Sequence, residues 1–146
     1  MRTTFFGLIL SLGSLLATSV AFAGDADDKV LKAQAEASLA NLVKAANDSC
    51  GGKIDASVNW TGFPLADLNK YSFSGYVEPI FDALKKFCEG KKAKAFIAAE
   101  VKKVVVGFGG KEKRALGVAN GTIDYKIDWE AGNSAEHATK MLILKL

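Results

Sequence analysis

The chain has 146 residues, of which 49% are hydrophobic and 24% are charged, and its formal net charge is +3. This length fits one domain and leaves no room for two enzyme lobes, and the hydrophobic fraction is too high for a disordered chain. The near balance of charges, with Arg2 and Arg114 as the only arginines, disfavours nucleic-acid binding.

Residues 1–23 have the pattern of a removable export signal. Arg2 precedes an apolar run over residues 5–16, and Ala21-Phe22-Ala23 forms an A-x-A cleavage signature. The apolar run is shorter than the ~20 residues that a membrane-spanning helix needs. We therefore expect an exported protein, periplasmic or extracellular, whose mature part, residues 24–146, is a single α+β domain without a membrane span.

The predicted export makes a disulfide between the two cysteines the expected state, because an oxidising compartment favours their pairing. A bond between Cys50 and Cys88 closes a loop of about 39 residues, worth roughly 3–4 kcal/mol in the chain-entropy model. The alternatives are a metal pair or two free thiols. Since no histidine or acidic residue stands near them at ligand spacing, a metal site is disfavoured, and the sequence predicts a disulfide.

The first half of the mature chain shows helical periodicity, then strand alternation, then helical periodicity again. Gly51-Gly52 ends the first helix, and Pro79 is tolerable because it falls in the first turn of the second. The predicted elements are a helix (25–46) with acidic residues at its start, a strand (53–60), a long loop (61–75), a helix (76–89) and a helical extension (91–100).

The second half contains three predicted strands and a closing helix. Asn120-Gly121 is a strong hairpin signal between the last two strands. Asn133, followed by Glu136 three residues later, is typical of a helix start, although residues 141–144 fit a final strand equally well. The predicted elements are strands (101–108, 114–119 and 122–129) and a helix within residues 134–146.

Alternation within the last predicted strand separates a dry face from a wet face. The dry set is Ile123, Tyr125, Ile127 and Trp129, and the wet set is Asp124, Lys126 and Asp128. By the same parity, Trp60 and Trp129 should both be buried on the helix-covered side of the sheet. The order α-β-α-β-β-β-α then predicts an α+β fold, with an antiparallel sheet of about four strands and two or three helices on one face.

The sequence offers few combinations of residues that could form a catalytic site. The sequence contains no G-x-S-x-G elbow, H-E-x-x-H zinc motif or phosphate-binding loop, and its one histidine, His137, is expected to be solvated near a helix start. Asp124 and Asp128 would lie about 13 Å apart along one strand, too far for a glycosidase pair. We expect no catalytic residue, no cofactor and no metal.

The candidate binding residues are Tyr71, Phe73 and Tyr76, aromatics interleaved with small polar residues in the predicted loop. Such sequences are typical of adaptable binding surfaces, but the same rings could instead form a lid on the core. Lysines concentrated between Lys85 and Lys103 are a further candidate surface, or simply solvated helix ends.

The predicted function is that of a small exported binding or interaction protein without enzymatic activity. Its partner is an unknown protein or small ligand and not a nucleic acid. The alternatives are a small extracytoplasmic hydrolase that uses His137 and an inhibitor of a secreted enzyme. A cleft holding His137 with a hydroxyl or carboxylate in hydrogen-bond reach would favour the hydrolase; an open polar sheet face without such a cleft would favour binding.

Overall fold

The computed structural model describes residues 20–110, 113–131 and 134–145. The helices and strands follow one another in the order α-β-α-α-β-β-β-α, with one 3-10 turn before the second helix. The elements are α1 (Val20–Cys50), β1 (Asp55–Val58), the 3-10 turn (Leu65–Asn69), α2 (Phe73–Phe87), α3 (Lys91–Glu100), β2 (Lys103–Phe108), β3 (Ala115–Ala119), β4 (Thr122–Ile127) and α4 (Ala135–Ile143).

The sheet has four strands in the order β1-β2-β4-β3, and it is mixed. β1, β2 and β4 are parallel, and only β3 runs antiparallel, against β4. The predicted antiparallel sheet is therefore wrong. The chain between β1 and β2 contains α2 and α3 and crosses over one face, so it re-enters the sheet at the end where β1 began.

The predicted hairpin between β3 and β4 is confirmed. Asn120 and Gly121 have φ values of 51° and 74°, as a two-residue turn with two left-handed positions requires. The carbonyl oxygen of Gly121 accepts hydrogen bonds from the backbone N–H groups of Lys102 and Lys103, at 2.8 and 3.1 Å. A Cβ on Gly121 would lie 2.7 Å from the Glu100 carbonyl oxygen, so the turn is also packed against the end of α3.

One face of the sheet is covered by helices and the other is open. Ile123, Tyr125 and Ile127 are buried against the helical layer, whereas Asp124 and Lys126 are exposed on the opposite face, as predicted. The layer contains four helices rather than two or three, because residues 91–100 form a separate helix after Gly90. The part of the chain that the structure describes contains no helix with the length and hydrophobicity of a membrane span.

Two helix starts differ from the predicted ones. α1 is helical from Val20 onward in the described residues, so the acidic residues at 25–28 lie inside the helix and not at its start. α2 begins at Phe73, because the Ser72 hydroxyl accepts a hydrogen bond from the Gly75 N–H at 3.3 Å and caps the helix. The predicted loop over 61–75 therefore contains a 3-10 turn and the first residues of α2, and Pro79 lies inside α2, beyond its first turn.

The closing helix is α4, so the alternative of a last strand at 141–144 is wrong. Its N-cap is Ser134, whose hydroxyl accepts a hydrogen bond from the His137 backbone N–H at 3.1 Å. The predicted cap, Asn133, lies outside the described residues.

The cysteines form the disulfide that the sequence predicts. Cys50 and Cys88 have Cα atoms 5.0 Å apart and bonded Sγ atoms. Cys50 ends α1 and Cys88 caps α2, and both are buried. The bond therefore ties together the carboxyl ends of α1 and α2.

Reduction of this bond should lower the free energy of unfolding by about 3 to 4 kcal/mol, because the reduced unfolded chain regains the freedom of a long loop. Urea unfolding with and without reductant measures the difference. As a control, the double variant Cys50→Ala, Cys88→Ala should be insensitive to reductant. Equal midpoints for the oxidised and reduced protein would contradict a stabilising role.

Candidate functional site

A groove of about 580 Å³ lies between α1 and β1; we call it the α1–β1 groove. Leu39 and Val43 of α1 and Ala56 and Val58 of β1 supply its apolar surface. Leu39 is buried and the other three are half-buried, so apolar side chains are left partly uncovered there. Volumes of this size are typical of ligand sites.

β1 is an edge strand, and its free edge faces this groove. The backbone N–H groups of Asp55 and Asn59 donate to the carbonyls of Lys102 and Val106, at 2.8 and 2.7 Å. Odd-numbered residues thus point their N–H and C=O groups at β2, and even-numbered residues point theirs away. The outward groups of Ala56 and Val58 have no hydrogen-bond partner among the described residues.

The side-chain amide of Asn47 in α1 binds the outward backbone groups of Ile54, the residue just before β1. The Asn47 side chain donates from Nδ2 to the Ile54 carbonyl at 2.9 Å, and its Oδ1 accepts from the Ile54 N–H at 2.7 Å. A neighbouring strand would make the same pair of hydrogen bonds. Asn47 therefore ends the groove at the start of β1.

The opposite end of the groove is formed by an indole and a carboxylate. Trp60 Nε1 donates a hydrogen bond to Glu36 Oε1 at 2.9 Å, and Lys32 Nζ lies 5.8 Å from the centre of the indole ring. This contact links the chain just after β1 to the middle of α1. The α1–β1 groove is thus bounded at both ends, by Asn47 and by Trp60 with Glu36.

A cluster of aromatic rings lies at the end of the sheet where the parallel strands β1, β2 and β4 terminate. Phe63 and Trp129 are central, since each contacts four other rings. Trp129 is buried as predicted, whereas Trp60 is only half-buried, because it follows the edge strand and its indole bonds to Glu36 at the surface. The members of this aromatic cluster are Trp60, Phe63, Tyr71, Phe73, Tyr76, Phe108 and Trp129.

The predicted binding residues all belong to this cluster but have different environments. Phe73 is 7% exposed and packs against Trp60 and Phe63. Tyr71 stacks on Trp129 with ring centres 5.4 Å apart, and the Tyr76 hydroxyl donates to the Trp129 carbonyl at 2.6 Å. The rings of Tyr71 and Tyr76 both contact the Trp129 ring and are partly exposed. Binding of a partner by these residues stays a prediction.

Asp128, predicted on the wet face, is 1% exposed, so that prediction is wrong. β4 ends at Ile127, and the alternation of the strand no longer applies to the next residue. Oδ1 of Asp128 accepts from the Glu130 N–H at 2.9 Å, while Oδ2 has no partner among the described residues. Asp124 and Asp128 therefore do not share one wet face.

Burial raises the pKa of Tyr125, whose hydroxyl has no hydrogen-bond partner in the described chain.

His137 lies in the first turn of α4, apart from the α1–β1 groove. Burial lowers the pKa of its ring, and the positive charges of Arg114 and Lys140 lower it further. Within the described ranges, no hydroxyl or carboxylate hydrogen-bonds to the imidazole. Nor do these residues include a group of three or more His, Cys, Asp or Glu side chains that could hold a metal ion.

The sequence predicted the strand and helix that form the groove but not the groove itself. Which strand lies at an edge depends on pairing between distant segments, and no local pattern reports it. A usable signal was Asn47, a polar residue near the carboxyl end of a helix and seven residues before Ile54, the buried residue just ahead of β1.

We compared the chain with protein families, with curated proteins and with solved structures, and none of them matches it. Its function therefore has to be inferred from the geometry and chemistry of its own residues.

Phe73 and Tyr71 should respond differently to truncation. Phe73→Ala should lower the free energy of unfolding by about 3 to 4 kcal/mol, because it leaves a cavity among buried rings. Tyr71→Ala should cost about 1 kcal/mol, because that ring is partly exposed. Urea unfolding of the two variants measures both values, and an equally small loss for both would mean that Phe73 is not a core residue.

Proposed function

We propose that this chain is a small exported binding protein without enzymatic activity, and that it recognises its partner with the α1–β1 groove. The observation that carries the proposal is the conjunction of this groove with the uncovered edge of β1. Apolar side chains and unpaired backbone groups stand side by side there. A free strand edge can pair with a further strand, and apolar side chains beside it add contact area to such pairing.

The proposal includes export, which places binding of the partner in the periplasm or outside the cell. The Cys50–Cys88 disulfide is compatible with an oxidising compartment, and residues 1–23 have the composition of an export signal. The described part of α1 extends across the predicted cleavage site between Ala23 and Gly24. Cleavage there would shorten α1 at its amino end, at a distance along the helix from the residues that line the groove.

Binding has more support than hydrolysis by His137. A general base needs a nucleophile or substrate proton within hydrogen-bond reach, and the His137 ring has no hydroxyl or carboxylate bonded to it among the described residues. Asp124 and Lys126 are exposed on the sheet face away from the buried side chains of β4. An inhibitor of a secreted enzyme is a special case of the same proposal, in which the partner is a protein.

Filling the groove should abolish partner capture without unfolding the protein. Ala40 is exposed, lines the groove and lies on a helix, so Ala40→Arg places a large side chain in the groove at little cost to helix stability. The tagged exported protein, crosslinked in its native compartment, should recover its partner, and the Ala40→Arg variant should lose it by tenfold or more.

Ala45→Arg is the matched control, because Ala45 is exposed on α1 but does not line the groove. It should capture as well as the wild type. Retained capture by Ala40→Arg together with lost capture by Tyr71→Ala would assign recognition to the aromatic cluster. A hydrolytic activity that His137→Ala abolishes would replace the proposal by the hydrolase.

A further inference from the structure

We propose that the ligand of the α1–β1 groove is an extended peptide segment that adds to β1 as a fifth strand. The proposal rests on the proposed function and names the chemical class of its ligand. It follows from the backbone groups at the edge of β1, from the side chains beside them, and from the side-chain contacts at the two ends of the groove.

The unpaired backbone N–H and C=O groups of β1 match the hydrogen-bonding groups of an extended peptide backbone. Ala56 and Val58 each present one N–H and one C=O away from β2, with no described residue bonded to them. Asn47 already binds the equivalent pair of groups on Ile54 with the donor and acceptor of a primary amide. A peptide backbone supplies this donor and acceptor at every second residue, which is the spacing of the two remaining positions.

The side chains of the groove specify an alternating ligand. Residues directly opposite each other in a sheet point to the same face, so ligand residues opposite Ala56 and Val58 point towards α1. There they meet Leu39 and Val43, which favour apolar side chains. The ligand residue between them lies beside Ser57 on the open face, where polar side chains are solvated.

The ends of the groove limit the length of the ligand and set its charge. Between Asn47 at Ile54 and the Trp60 indole, a strand rising ~3.3 Å per residue offers room for about five paired residues. Glu36 and Asp55 are the acidic residues that line the groove, and the Glu36 carboxylate also accepts the Trp60 hydrogen bond. The lining ammonium, that of Lys44, is already paired with Asp48 at 2.8 Å. The groove therefore favours a segment with basic residues flanking two alternating apolar ones.

A second copy of this chain is a poorer occupant than a single segment. Its own β1 would approach together with its α1, a helix of about 10 Å diameter with side chains. A single strand needs only the ~4.8 Å spacing between neighbouring strands. The groove lies between α1 and the edge of β1, so it suits the narrower ligand.

The probe for this proposal is a phage-displayed library of random linear decapeptides, selected on the oxidised exported protein. The enriched sequences should carry two apolar residues at i and i+2 with basic neighbours. Synthetic copies should bind the wild type and the Ala45→Arg variant equally, and should bind Ala40→Arg at least tenfold more weakly.

Methylation of single backbone nitrogens of such a peptide then tests strand addition with the protein unchanged. N-methyl groups on amides that face β1 should weaken binding by about tenfold or more. Those on amides that face away should have little effect, so sensitivity should alternate along the segment. Tolerance at every position, or enrichment of no peptide that depends on Ala40, would overturn the proposal.

The same variants separate this proposal from the proposed function. If Ala40→Arg abolishes partner capture but no linear peptide binds with alternating sensitivity, the groove recognises a folded surface, and only the peptide inference fails. If Ala40→Arg affects neither capture nor peptide binding, both fail. A wild-type dimer in sedimentation that Ala40→Arg dissociates would assign the groove to a second copy and overturn the peptide inference.

Discussion

The backbone of β1 forms interstrand hydrogen bonds through its odd-numbered residues alone, with β2, and leaves Ala56 and Val58 facing α1. This one-sided pairing follows from the topology. β2 has β4 on its other side, β3 is the edge strand at the far side of the sheet, and no further strand follows in the described chain. A free edge is a hazard that proteins usually cover, shorten or charge. Here α1 runs beside it and covers it only in part, and the resulting groove is the basis of the proposed function.

The position of α1 relative to β1 is held from several directions. The disulfide fixes the carboxyl end of α1 to α2. Asn47 fixes the last turns of α1 to the start of β1, and Glu36 in the middle of α1 accepts a hydrogen bond from Trp60, which lies just after β1. A groove whose walls are held in this way loses little conformational freedom when a ligand enters. Preorganisation of this kind favours binding because less ordering is left for the moment of association.

The sequence predicted those features that depend on local patterns. Alternation at 123–127 reported which side chains are buried, the Asn120-Gly121 pair reported the hairpin, and the two cysteines, together with the predicted export signal, reported the disulfide. It did not predict the mixed sheet, because alternation reports the face of a strand and not its neighbours. Asp128 was missed because alternation ends with the strand, and the start of α2 was missed because the Ser72 cap competes with a loop-like composition. The groove lies between segments whose spatial relation only the folded chain reveals.

Amide hydrogen exchange in the free protein tests the one-sided pairing of β1 most directly. In a two-dimensional NMR exchange experiment, the amides of Asp55, Ser57 and Asn59 should be protected by β2, and that of Ile54 by Asn47. The amides of Ala56 and Val58 should exchange much faster than these neighbours, because they have no partner. Uniform protection from Ile54 to Asn59 would mean that the edge of β1 is already covered, and would contradict this account.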